Sequence, residues 1–83
     1  MMTTEQVEAL RTLPLGDATN RLRMAFALTG RRQHEASQET GIVASNLSDI
    51  VNGKYASVTI ETARKLADFF GCAIEDLFPR RVA

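Results

Sequence analysis

Between residues 44 and 54 the sequence reads ASNLSDIVNGK, which sets Ser45, Asn46, Ser48, Asp49 and Asn52 close together. Short polar side chains of this kind can do two sorts of chemistry. A serine hydroxyl becomes a nucleophile when a base and an oxyanion site stand beside it. Alternatively, hydroxyl, amide and carboxylate groups on one exposed helix face can hydrogen-bond to base edges in a major groove. The first chemistry lacks its partners. His34 is the single histidine and sits next to Glu35 in a polar stretch, and Cys72 is the single cysteine. Neither a catalytic set nor a metal-ligand set can be assembled around them. No enzyme, cofactor or metal is expected. A lone cysteine forms no internal disulfide, in keeping with a reducing, cytoplasmic setting.

The elements that must carry these residues are set out by breakers. Pro14, Gly16, Gly30, Gly41, Gly53, Gly71 and Pro79 punctuate the chain, and the stretches between them have helical rather than alternating periodicity. An all-α fold of five or six short helices is predicted. Thr3 or Thr4 caps the first, where Val7, Leu10 and Leu13 recur at helical spacing until Pro14. Asp17 caps a second, which runs to about Thr29 with Ala18, Leu22, Ala25, Phe26 and Thr29 on one face. A polar helix from Gln33 to Thr40, with Ala36 its only aliphatic residue, stops at Gly41. Ile42 and Val43 lead into Ala44–Val51, whose Leu47, Ile50 and Val51 face inward. Thr59 caps a helix with a stripe of Ile60, Ala63, Leu66, Ala67 and Phe70. A last turn carries Ile74, Leu77 and Phe78. Residues 1–16 read as an N-terminal helical appendage that packs on the core or on a second subunit. Residues 17–79 read as the main domain and 80–83, with Arg80 and Arg81, as a tail.

Residues 31–53 have the spacing of a helix-turn-helix. Gly41 supplies the positive φ of a tight turn, Ala36 lets the two helices cross closely, and Ile42 and Leu47 pin the second to the first. Ala44, Ser45, Ser48 and Asp49 are then left on one exposed face, with Asn46 at its edge. Arg31 and Arg32 read either as phosphate contacts or as solvated charge, and Tyr55 as a phosphate contact or a loop anchor. Ten Lys and Arg balance ten Asp and Glu. DNA binders usually carry a basic surplus, so charge here must be sorted in space. No apolar run approaches the ~20 residues of a membrane span, and the glutamates near the start fit no signal peptide.

Residues 21–78 resemble the lambda-repressor-like and Cro-like (XRE-type) helix-turn-helix DNA-binding family. The resemblance rests on Leu22, Gln33, Gly41-Ile42, Leu47, Ile50, Asn52-Gly53-Lys54, the Ile60-to-Phe70 helix, and Gly71 with Ile74-Glu75-Asp76-Leu77-Phe78. It implies a five-helix all-α domain, here with an extra short N-terminal helix. It also implies a cytoplasmic transcriptional regulator, a repressor or controller that binds double-stranded operator DNA as a homodimer. Base reading falls to Ala44, Ser45, Ser48 and Asp49, with Asn46 beside them. Phosphate contacts fall to Gln33, Asn52 and Lys54, with Arg32 and Tyr55 as further candidates, and Leu77 and Phe78 are candidates for a dimer seam. The chain departs from the family at Ala36-Ser37, where Leu-Ala is common. Arg32 and Val43 occupy N-cap places that usually hold Ser or Thr. Phe26 and Val51 stand where a buried Arg–Glu pair is common. Exchanging both members of a buried pair for apolar groups is often neutral or stabilising, and Phe26 is expected to fill the volume beside Ala36. An alternative reading is an antitoxin-like module that keeps the fold to hold a partner protein, a toxin or another regulator. Zero net charge and short groove-facing side chains favour it.

Overall fold

Local signals decide where each helix starts and stops. The structure, a computed structural model, describes residues 2–16, 20–54 and 58–79. Among them the chain forms α1 (Thr4–Thr12), α2 (Leu22–Thr29), α3 (Gln33–Thr40), α4 (Ala44–Val51), α5 (Ile60–Phe70) and α6 (Ile74–Leu77). The all-α class holds, with five helices following the extra N-terminal one.

At α1 the Thr3 hydroxyl accepts from the Gln6 N–H and the Gln6 side chain accepts from the Thr3 N–H, a reciprocal cap. Leu13 does not extend the α1 stripe. A residue before proline is driven to extended backbone, so Leu13 (ψ 133°) leaves the helix and stands 37% exposed. Glycines at positive φ end α2, α3 and α5. The second helix begins at Leu22, later than expected, and Asp17 and Ala18 lie outside the described residues. Asn20 fixes its entry instead. Its Oδ1 accepts from the Leu22 N–H at 3.0 Å while its Nδ2 donates to the Ile50 carbonyl at 2.9 Å. The start of α2 is thereby tied to α4.

The core gathers on α5, which turns Ala63, Leu66, Ala67, Phe69 and Phe70 inward. Leu22 and Ala25 of α2, Ala36 of α3, Leu47, Ile50 and Val51 of α4, and Leu77 and Phe78 meet them. Ile60 is not part of the stripe. As the first residue of α5 it lies at the edge and is 49% exposed, and Phe69 takes the buried place instead. Phe26 spans this region: its ring lies edge-on to Phe70 at 5.0 Å and tilted to Phe69 at 6.5 Å. Aromatic pairs in such arrangements contribute about 0.5–1.5 kcal/mol beyond area burial. Phe26 therefore binds α2 to α5 as one of three clustered rings.

The N-terminal segment belongs to this same core. Met2 and Leu10 are buried, the Met2 N–H donates to the Phe70 carbonyl at 2.7 Å, and Gln6 Nε2 donates to the Leu28 carbonyl at 3.1 Å. Arg11 Nε donates to Asp76 Oδ1 at 2.6 Å. Of the two sites left open by the sequence, α1 occupies the core of its own chain.

The hydrogen bond from Arg11 holds the buried Asp76 carboxyl below the usual carboxylate range, helped by the Ala73 N–H and opposed by burial. A carboxylate held low when folded stabilises the fold above its unfolded pKa, about 3.9, and that contribution is lost as pH falls through the folded value. Urea unfolding on either side of this range should show wild-type stability falling on the acid side. The Asp76→Asn variant, already without the charge, should show a shallower fall. Equal slopes in the two proteins would remove Asp76 as the cause.

Candidate nucleic-acid interface

Two hydroxyls and a glycine build the turn between α3 and α4. Gly41 has φ 78°. Ser37 Oγ donates to the Ile42 carbonyl at 2.6 Å, and Thr40 Oγ1 donates to the Ala36 carbonyl at 2.6 Å while accepting from the Ile42 N–H. Ser37, a departure from the family pattern, thus closes the turn across Gly41. Ala36 is wholly buried, and Ile42 and Leu47 seat α4 on the core.

With Leu47, Ile50 and Val51 buried, the other face of α4 is turned outward. Ala44, Ser45 and Asn46 are exposed and Ser48 and Asp49 half-exposed, so all five expected base-reading residues lie on the solvent side. Val43, at the N-cap, is exposed and makes no side-chain cap. Val43 thus adds no side-chain acceptor to the first-turn amides of α4, and the helix dipole is positive at that end. Arg32 likewise provides no side-chain cap for α3; its backbone N–H donates to Glu35 Oε1 at 3.3 Å. The Arg32 and Gln33 side chains are exposed at that helix start.

At the far end of α4, Asn52 and Lys54 are exposed. Asn52 Oδ1 accepts from Arg23 Nη2 at 2.6 Å, and Asn52 Nδ2 donates to Ser48 Oγ at 3.5 Å. Lys54 Nζ lies 3.5 Å from the Asp49 carboxylate and its backbone N–H donates to the Asp49 carbonyl. The one acidic group on this face therefore has a counter-charge beside it.

The zero net charge is sorted in space. Arg11 pairs with Asp76, Lys65 with Glu61, and Arg31 with Glu35 and Glu39, all on elements other than α4. Arg23 and Arg32 make no ion pair among the described residues. Arg31 turns away from the phosphate role: its guanidinium lies 3.9 Å over the Phe69 ring and donates to the Phe69 carbonyl, so its donors are engaged within the chain. Leu77 and Phe78 are 0% and 5% exposed, packed into the core of their own chain. Tyr55, Arg80 and Arg81 lie outside the described residues.

His34 is exposed, and among the described residues no three His, Cys, Asp or Glu side chains group to hold a metal ion. Burial, with Asp76 adding, pushes the Cys72 thiol up to about 11, so it stays protonated at neutral pH and reacts poorly. Among the described residues no helix is long and apolar enough to cross a membrane.

Sequence reasoning passed over Asn20 and Arg23. Asn20 carried a usable signal, an amide two residues ahead of an apolar helical run. Arg23 carried none beyond exposure, because its partner is 29 positions away.

Residues 21–80 match the family model described as the Cro/C1-type HTH DNA-binding domain, a span that takes in α2 to α6. No curated protein and no solved structure matches.

A Cβ at Gly41 would meet no atom within 4 Å. The cost of filling the position is then conformational alone. Gly41→Ala should destabilise by about 1–2 kcal/mol, the left-handed penalty of an ordinary residue, and Gly41→Asn by less. Thermal denaturation of the two variants checks this ordering; equal losses would mean that φ is not what the turn requires.

Proposed function

The chain belongs to the family of Cro/C1-type helix-turn-helix DNA-binding domains, and we propose that it is a sequence-specific double-stranded DNA-binding transcriptional regulator. In this reading it is a cytoplasmic repressor or controller that acts as a homodimer with α4 in the major groove. The observation that carries it is the division of α4. Leu47, Ile50 and Val51 are buried, while Ala44, Ser45, Asn46, Ser48 and Asp49 face outward on short side chains. Ala44 would touch a thymine methyl, Ser45 and Ser48 would make permissive hydrogen bonds, and Asp49 would accept from a cytosine amino group. Lys54 beside Asp49 reduces the repulsion between that carboxylate and the DNA backbone. Gln33, Arg32, Asn52, Lys54 and Tyr55 would hold the register through phosphates. Two copies would set their α4 helices about 34 Å apart.

A second reading, an antitoxin-like module that holds a partner protein, draws support from Val43 and Ile60, which expose apolar side chains.

Selection of duplexes from a random pool, followed by fluorescence anisotropy, separates the two. The regulator reading expects an enriched site, and Asp49→Ala should relax the preference at one cytosine position by about 1–3 kcal/mol. A pool without enrichment, together with a co-purifying protein partner, would favour the second reading.

A further inference from the structure

We propose that Arg23 and Asn52 form a two-residue phosphate clamp that joins α2 to the end of α4; this deepens the DNA-binding reading and rests on it. The side chains come from positions 29 residues apart and meet at 2.6 Å, guanidinium Nη2 to amide Oδ1. Both are exposed. The contact orders the arginine at the protein surface without neutralising it, because an amide oxygen carries no charge. A guanidinium has five N–H donors in a fixed fork, and the Asn52 bond engages only one of its nitrogens.

The contrast with the neighbouring arginines is informative. Arg11 is held by Asp76, Arg31 by Glu35, Glu39 and the Phe69 ring, and Arg21 reaches the Arg11 and Leu13 carbonyls. Arg21 and Arg23 are both positioned by neutral acceptors with no carboxylate in an ion pair among the described residues, and of the two it is Arg23 that lies against α4. Its site is also the right one. The Asn52 amide nitrogen lies 3.5 Å from Ser48 Oγ on the outward face of α4, so the guanidinium borders the surface that would meet base edges. In a major-groove complex the strand backbone runs along that border. Guanidinium and carboxamide together offer N–H donors from two side chains to one phosphate, and the planar guanidinium suits paired hydrogen bonds to phosphate oxygens.

A cation at the C-terminal end of α4 also favours the helix dipole, and that role alone would affect stability but not the response of binding to salt. Salt dependence therefore separates the two. Each phosphate neutralised contributes about 0.9 to the slope of log K against log salt on duplex DNA. Anisotropy titrations on a random-sequence duplex and on any enriched duplex, with the full chain, supply the slope. Arg23→Gln should lower it by about 1 on both, so that wild type loses about threefold more affinity than the variant over a fourfold rise in salt. Arg23→Lys should retain most of the slope. Asn52→Ala should weaken binding on both duplexes, and adding it to Arg23→Gln should cost less than its effect alone. An unchanged slope in Arg23→Gln, with wild type binding normally, overturns the clamp and leaves the regulator reading intact. A clamp signature on the random duplex with no enriched sequence supports the clamp and defeats sequence specificity. Failure of wild type to bind either duplex overturns both.

Discussion

The close crossing of α3 and α4 is the contact on which the outward face depends. α4 spans eight residues, too few to hold a helix alone in water. It is helical because Leu47, Ile50 and Val51 are buried, each such side chain contributing about 1.5–3 kcal/mol. That burial requires a sharp reversal after α3 and little bulk at the crossing. Gly41 gives the first through its left-handed backbone, and fully buried Ala36 gives the second. The Ser37 and Thr40 hydroxyls bond the Ile42 carbonyl and the Ile42 amide in the bend between the helices. Once the inner stripe is fixed, the 3.6-residue period leaves Ala44, Ser45, Ser48 and Asp49 no direction but outward.

The remaining helices hold this unit rigidly. Phe26, Phe69 and Phe70 bind α2 to α5, Asn20 ties the entry of α2 to the Ile50 carbonyl, and α1 closes the other side through Met2, Leu10 and the Arg11–Asp76 pair. Where the family commonly carries a buried ion pair, Phe26 and Val51 are apolar, and Phe26 instead joins its helix to the aromatic cluster. A site presented on rigid helices keeps the geometry that recognition needs. The charge balance follows the same logic. Four carboxylates, Glu35, Glu39, Glu61 and Asp76, are engaged by arginine or lysine away from α4, while Arg23 and Arg32 make no ion pair among the described residues, so a chain of zero net charge still offers cations around α4.

Much of this was legible in the sequence because its causes are local. Gly30, Gly41 and Gly71 mark helix ends, Thr3 and Thr59 mark starts, and the i, i+3, i+4 spacing of Leu47, Ile50 and Val51 gives the inner face of α4. What escaped depends on tertiary neighbours. Leu13 fits the α1 period but is pulled out by Pro14. Ile60 fits the α5 stripe but lies at its edge, while Phe69 is buried partly because Arg31 covers its ring. Arg31 and Arg32 are adjacent and look alike as sequence, yet one is locked against the core and the other is free of ion pairs among the described residues. Arg23 shows the same limit, since only the fold brings it to Asn52.

The central claim, that the outward face of α4 and its flanks meet DNA, is tested most directly by backbone amide NMR during titration with duplex DNA. Engagement through this face requires the largest shifts at Gln33, along residues 44–49 and at residues 52–54, with α1 and the exposed side of α5 little changed. Largest shifts on α1 or α6, with α4 unmoved, would contradict it.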